Sequence, residues 1–156
     1  MNHFSAKITK IPIGILIEFS GMIDEESDFD KIDVGDAQSL IIDLQNVTRI
    51  NSVGIRSWMI WFRKFGPGKN LTFRHCPKNV VDQFNAVEAF LPAHAIVESF
   101  YVPFFCEDCS EEYPFLLEKG TNFEIAISDR PQIVKLPETC LCRVCKKAME
   151  LDVGEK

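Results

Sequence analysis

Apolar and polar positions change rhythm along the chain, and each change marks an element. Residues 4–9 (FSAKIT) alternate weakly, as a first strand does, and the Pro and Gly in 10–14 supply a turn. Residues 15–21 (ILIEFSG) form a strong strand pattern. The acidic stretch 22–31 is a loop or short helix with Asp24 as candidate cap, and the branched run SLIIDL at 39–44 suits a strand covered on both faces. Asn51 or Ser52 can cap a helix over about 53–65, which GPGKN at 66–70 stops. A strand follows at 71–75. Pro77 then opens a helix with Val80, Val81, Phe84 and Val87 on its buried stripe. Strand character returns as one run over 95–104. Strands alternating with helices predict an α/β fold, a mixed β-sheet covered by helices.

The helix at 53–65 carries the least obvious pattern. On a wheel of about 100° per residue, Ile55, Met59 and Phe62 centre the buried stripe, with Trp58 on its flank. Trp61 then falls about 120° from that centre and Ile60 about 140° the other way, sharing the outer side with Ser57 and Lys64. Both large side chains are expected to be partly exposed. Either another part of the chain, such as loop 22–38, covers them, or they form a partner surface with an aromatic anchor.

Composition narrows the function. The chain has 156 residues, 46% apolar and 26% charged, as in folded soluble proteins. No apolar run reaches the length of about 18 residues that a membrane helix needs. The opening residues lack a secretion-signal pattern, which points to the cytoplasm. The net charge of −6 gives no general attraction to nucleic acid or anionic lipid.

Two stretches then bring a family into view. FSGMID (19–24) resembles the Gly-x-apolar-Asp that follows the second strand of STAS domains, the fold of bacterial anti-sigma factor antagonists. LIIDLQNVTRINSVGI (40–55) is similar to that family's element of apolar strand, Asp-Leu, then Asp-Ser-Ser-Gly-Leu. The resemblance covers residues 4–100. It implies a STAS-like fold, partner-switching regulation with a kinase-like or other regulatory protein, and docking through the 52–65 helix. In the family, a serine at this helix start is phosphorylated. That position is Val53 here, within Asn51-Ser52-Val53-Gly54, so the usual switch has no hydroxyl to modify. Ser52 is left as a helix cap and as a secondary phosphorylation candidate. Ser52, Ser57, Ile60, Trp61 and Lys64 make the expected partner surface.

Six cysteines, at 76, 106, 109, 140, 142 and 145, supply the strongest chemical signal. Cys106-x-x-Cys109 and Cys142-x-x-Cys145 can each aim two thiolates at one ion, and the 32 residues between them leave room for a two-stranded excursion. Four sulfurs at about 2.3 Å make a closed tetrahedral zinc site, resembling a zinc ribbon over 101–156. Cys140 is either a spare thiol or a substitute for Cys142. A disulfide, a redox pair and an iron–sulfur cluster are the alternatives. Cys76 suits a buried small apolar side chain or a capping position.

A closed site activates no water, and no paired carboxylates, glycine-rich phosphate loop or nucleophile elbow accompanies it, so no catalytic residue is assigned. The sequence therefore predicts a non-catalytic interaction protein, with a homodimer possible. Nucleic-acid binding through the ribbon is the alternative. It is disfavoured by Glu107, Asp108, Glu111, Glu112, Glu150 and Asp152 around the knuckles, against which stand only Arg143, Lys146 and Lys147.

Overall fold

The computed structural model describes residues 3–65, 68–125, 131–133 and 141–151. The chain divides into two compact units, Met1–Glu98 and Ser99–Lys156. In the first, strands β1 (Ser5–Ile11), β2 (Gly14–Ile23), β3 (Ser39–Ile50), β4 (Asn70–Arg74) and β5 (Ile96–Val97) lie side by side in chain order. β1 pairs antiparallel with β2, and the other neighbours are parallel. Helix α1 (Ser52–Phe62) crosses from β3 to β4, and α2 (Lys78–Ala86) from β4 to β5. No helix among the described residues is long and apolar enough to cross a membrane.

Alternation in β2 drives Ile15, Ile17, Phe19 and Ile23 to one face, where Leu40, Ile42, Leu71 and Phe73 join them. Both helices cover that face. Phe84 of α2 meets Phe90, Phe90 stacks on Trp58 of α1, and Trp58 lies against Phe73 of β4. Right-handed crossovers between sequential parallel strands explain why both helices fall on one side.

β3 runs to Ile50, six residues beyond the expected 39–44. The pairing with β2 shifts register after Glu18 and again after Gly21. These irregularities reset the in–out alternation, so polar Gln45 and Asn46 face water while Val47 returns to the core. The expected single strand over 95–104 is two strands in two sheets. Ile96–Val97 pairs with β4, and the Glu98 N–H donates to the Phe73 carbonyl at 2.7 Å. β6 (Ser99–Cys106) pairs instead with β7 (Glu111–Glu118).

Capping agrees with one of the two expected alternatives at α1 and differs at the 3₁₀ turn. The α1 cap is Asn51, whose Oδ1 accepts from the Gly54 N–H at 2.8 Å, while Ser52 is the first helical residue. Asn51 Nδ2 also donates to Glu25 at 2.9 Å. Gly54 is required by a close approach: a Cβ there would sit 2.1 Å from the Ile23 carbonyl oxygen. The 3₁₀ turn at Phe29–Lys31 is capped by Asp28, and Asp24 accepts from the Glu26 N–H in a separate turn.

Where β4 ends beside the middle of β3, the buried Asp43 carboxylate accepts from Arg74 Nε at 2.9 Å and from the Gln45 N–H at 3.0 Å. It also lies 2.9 Å from His75 Nδ1. Burial pushes this carboxyl up, but the Gln45 N–H, His75 and Arg74 outweigh it and hold it below the ordinary value. Its folded pKa lies below its unfolded one. Its contribution to stability is therefore present above the ordinary carboxylate range and is lost as pH falls through the folded value. Asp43→Asn is expected to cost about 2 kcal/mol at neutral pH. The penalty should shrink below about pH 4, read by thermal unfolding across pH. An equal penalty at every pH would remove the charge from this account.

Candidate metal centre and the outward face of the first helix

In the second unit, β6 lies between β7 and β10 (Glu150–Leu151) and pairs antiparallel with both, in the order β10-β6-β7. β8 (Phe123–Ile125) and β9 (Pro131–Ile133) form a two-stranded ribbon in the intervening segment. Two cysteine knuckles are built on this frame. Cys106 is the last residue of β6, and the turn over 107–110 carries Cys109 and closes with Ser110 at φ 53°. The second knuckle holds Cys142 and Cys145. The Cys142 N–H donates to the Lys147 carbonyl at 2.8 Å, and the Lys146 N–H donates back to the Cys142 carbonyl at 3.0 Å. β10 pairs with Phe104 and Phe105, so the chain returns beside β6 just after the second knuckle. Lys147 then meets Asp108 at 3.0 Å, linking one knuckle to the other.

The four sulfurs of Cys106, Cys109, Cys142 and Cys145 all lie within 4.8 Å of one another, and Cys106 and Cys145 are 3.5 Å apart. Four sulfurs at about 2.3 Å from a central ion stand about 3.8 Å apart, so the cluster is compatible with a metal site. Cys106 and Cys142 are buried beside Phe104 and Met149, and Val102, Tyr113 and Phe115 pack around them. Arg143 lies over the Tyr113 ring, 5.2 Å from its centre.

The donor chemistry fits a cation. N–H groups of Cys145 and Val144 aimed at the Cys142 sulfur hold that thiol down at about 6. The Cys109 thiol is pushed up to about 12, chiefly by the neighbouring Cys145 sulfur and by burial. At Cys106 the Cys109 N–H favours the thiolate, but burial and the sulfurs of Cys145 and Cys142 outweigh it and push it up. These crowded thiols cannot all ionise together unless a positive ion joins them. Loading the metal-free protein at pH 7.5 is thus expected to release about two or more protons per ion, from Cys106 and Cys109 at least. A pH indicator in weak buffer reads this, and uptake without proton release would contradict it.

Cys140 lies outside the described residues. Cys76 is fully buried, and burial together with the Asp43 charge pushes its thiol up, so it is no nucleophile at neutral pH.

On α1 the expected face is rotated by about one residue. Gly54, Trp58, Trp61 and Phe62 are buried, whereas Ile55 and Met59 are only half-buried. Trp61 is 3% exposed, so the expected outward indole is not there. Phe29 of the 3₁₀ turn covers it at 5.6 Å, with Phe19, Phe62 and Phe65 around it. Loop 22–38 thus seals one of the two doubtful side chains and leaves the other out, since Ile60 is 49% exposed. Ser52 is exposed, Ser57 is half-buried, and Lys64 is exposed and paired with Asp30 at 2.7 Å. The sequence pattern missed Ile55, Arg56, Met59 and Arg63, which with Ser52 and Ile60 line a shallow outward groove. Arg56 and Arg63, seven apart on a helix without acid, were the available signal.

The sequence matches no protein-family model and no curated protein.

Proposed function

We propose that this chain is a non-catalytic protein-interaction protein of the anti-sigma factor antagonist kind, acting in bacterial cytoplasmic regulation. Its first unit, STAS-like, docks a regulatory protein, kinase-like or other, through the outward face of α1. Its second unit is a zinc ribbon held by Cys106, Cys109, Cys142 and Cys145. Four soft thiolates in two Cys-x-x-Cys pairs are a donor set suited to Zn²⁺, and a four-coordinate shell leaves no position for substrate. The ion acts as scaffolding in this reading, and the chain's own residues carry recognition.

The observation that carries the docking reading is the outward side of α1. Val53 and Ile60 are each 49% exposed, with Ile55 and Met59 half-buried beside them. Burying such side chains against a partner gives about 25 cal/mol per Å² of apolar surface. The five-stranded mixed sheet that presents the helix, and the Asn51-Ser52-Val53-Gly54 start, support the family likeness. Because Val53 replaces the family's modifiable serine, docking here does not depend on phosphate at that position. Ser52, exposed in the first turn, is the hydroxyl that remains for a kinase.

Ile60→Asp tests this directly. The side chain is exposed, so the variant should keep its stability within about 0.5 kcal/mol. Affinity purification from the native host is expected to recover a partner protein with the wild type and at least about tenfold less with Ile60→Asp. Equal recovery with both would contradict docking through α1.

A further inference from the structure

The outward groove of α1 has a defined shape and charge pattern. Its lining residues fall in two rows at four-residue spacing, Ser52–Arg56–Ile60 and Ile55–Met59–Arg63. Two such rows are the ridges of a helix surface, and the groove between them is where a ridge of another helix seats. The walls are apolar at Ile55, Met59 and Ile60. The cations stand diagonally, Arg56 on one wall and Arg63 on the other, about 10 Å apart along the axis. Residues 52–62 contain no acidic side chain, although the chain as a whole carries −6.

We propose that this groove receives an amphipathic helix of a partner protein, whose apolar ridge is bordered by two carboxylates about two turns apart. This deepens, and rests on, the reading of α1 as the docking face. The apolar ridge meets Ile55, Met59 and Ile60, while one carboxylate reaches Arg56 and the other Arg63. Guanidinium and carboxylate form paired, directional hydrogen bonds, which fixes the register and polarity of the incoming helix. A second copy docking by its own α1 is disfavoured, because Arg56 and Arg63 would face their counterparts with no acid on either helix.

Two synthetic helices of about 20 residues test the assignment. They share one apolar ridge and differ only in its two bordering positions, Glu in one and Lys in the other. Each is titrated into the full chain and followed by backbone amide shifts. The Glu helix is expected to bind at least about tenfold tighter, to weaken in high salt, and to shift the amides of residues 55–63. Arg56→Glu with Arg63→Glu should reverse the preference, and the milder Arg56→Gln with Arg63→Gln should abolish it. Equal affinity for both helices would overturn the acidic partner while leaving α1 as a docking face. Binding of neither would overturn a helical occupant. Shifts confined to other surfaces would overturn the groove. The Ile60→Asp purification reads the docking face independently of all three.

Discussion

Replacing Trp58 with alanine is expected to destabilise the first unit by about 4 kcal/mol, a large part of the stability of a domain this size. Trp58 has 0% exposure. Its ring stacks on Phe90 at 5.0 Å and an interplanar angle of 8°, and it also meets Phe62 at 4.6 Å and Phe73 at 5.7 Å. Its Nε1–H donates to the Phe90 carbonyl at 2.9 Å. The side chain therefore joins α1, β4 and the segment following α2, and alanine would leave a cavity whose rigid aromatic walls cannot collapse. Trp58→Phe separates the two contributions. It keeps most of the ring but strands the buried carbonyl, with an expected loss of about 1–3 kcal/mol. Denaturant unfolding followed by circular dichroism reads both variants. A loss below about 1 kcal/mol for Trp58→Ala would mean the aromatic cluster does not hold α1 to the sheet. Trp61→Ala belongs to the same class, since Trp61 is sealed by Phe29 and Phe19. It would disturb the core and so is a poor probe of docking.

Cys142→Ser is expected to remove bound metal and, with it, the folded state of the second unit. Cys142 is fully buried, its sulfur accepts from the Val144 N–H at 3.4 Å, and its thiol is held down at about 6. Serine's oxygen is a harder donor with a shorter reach and would leave a tetrahedral site with three thiolates. Apart from the cysteines, the buried cluster around the site is made, among the described residues, by Phe104 and Met149, with Val102, Tyr113 and Phe115 partly covered. In a small unit of this kind, losing an ion that cross-links the four sulfurs removes much of the folding free energy. Elemental analysis of protein purified under reducing conditions should give one zinc per chain for the wild type and below about a tenth of that for Cys142→Ser. Amide signals from β6 and β7 should collapse in the variant and in wild type treated with chelator. Protein that is folded and metal-free in both units would contradict the zinc assignment. Iron with visible absorption would replace zinc by a cluster.

Much of this was legible in the sequence because local pattern and tertiary role agree. The Cys-x-x-Cys pairs declare themselves by spacing, and β2 by the alternation of Ile15, Ile17 and Phe19. Other features were set by partners far along the chain. The rotation of α1 depends on Phe29, some thirty residues earlier, reaching Trp61, and on Phe90 stacking over Trp58. No helical wheel contains those rings. The length of β3 depends on register shifts against β2, which let Gln45 and Asn46 stay in a strand with their side chains in water. The break at Glu98 arises because Val97 pairs with Phe73 whereas Ser99 pairs with Glu118, a change of sheet that an unbroken apolar run does not reveal. Asn51 and Ser52 were interchangeable as caps by residue type, and backbone geometry assigns that role to Asn51.

The most direct measurement is photocrosslinking in the native host, with a photoreactive amino acid at position 60 and a control at exposed position 10 on β1. A discrete light-dependent adduct with a second protein is expected from position 60, and none from position 10. The linked residue should lie on a helix bearing Asp or Glu nearby. No adduct from position 60, or equal adducts from both positions, would contradict docking through α1.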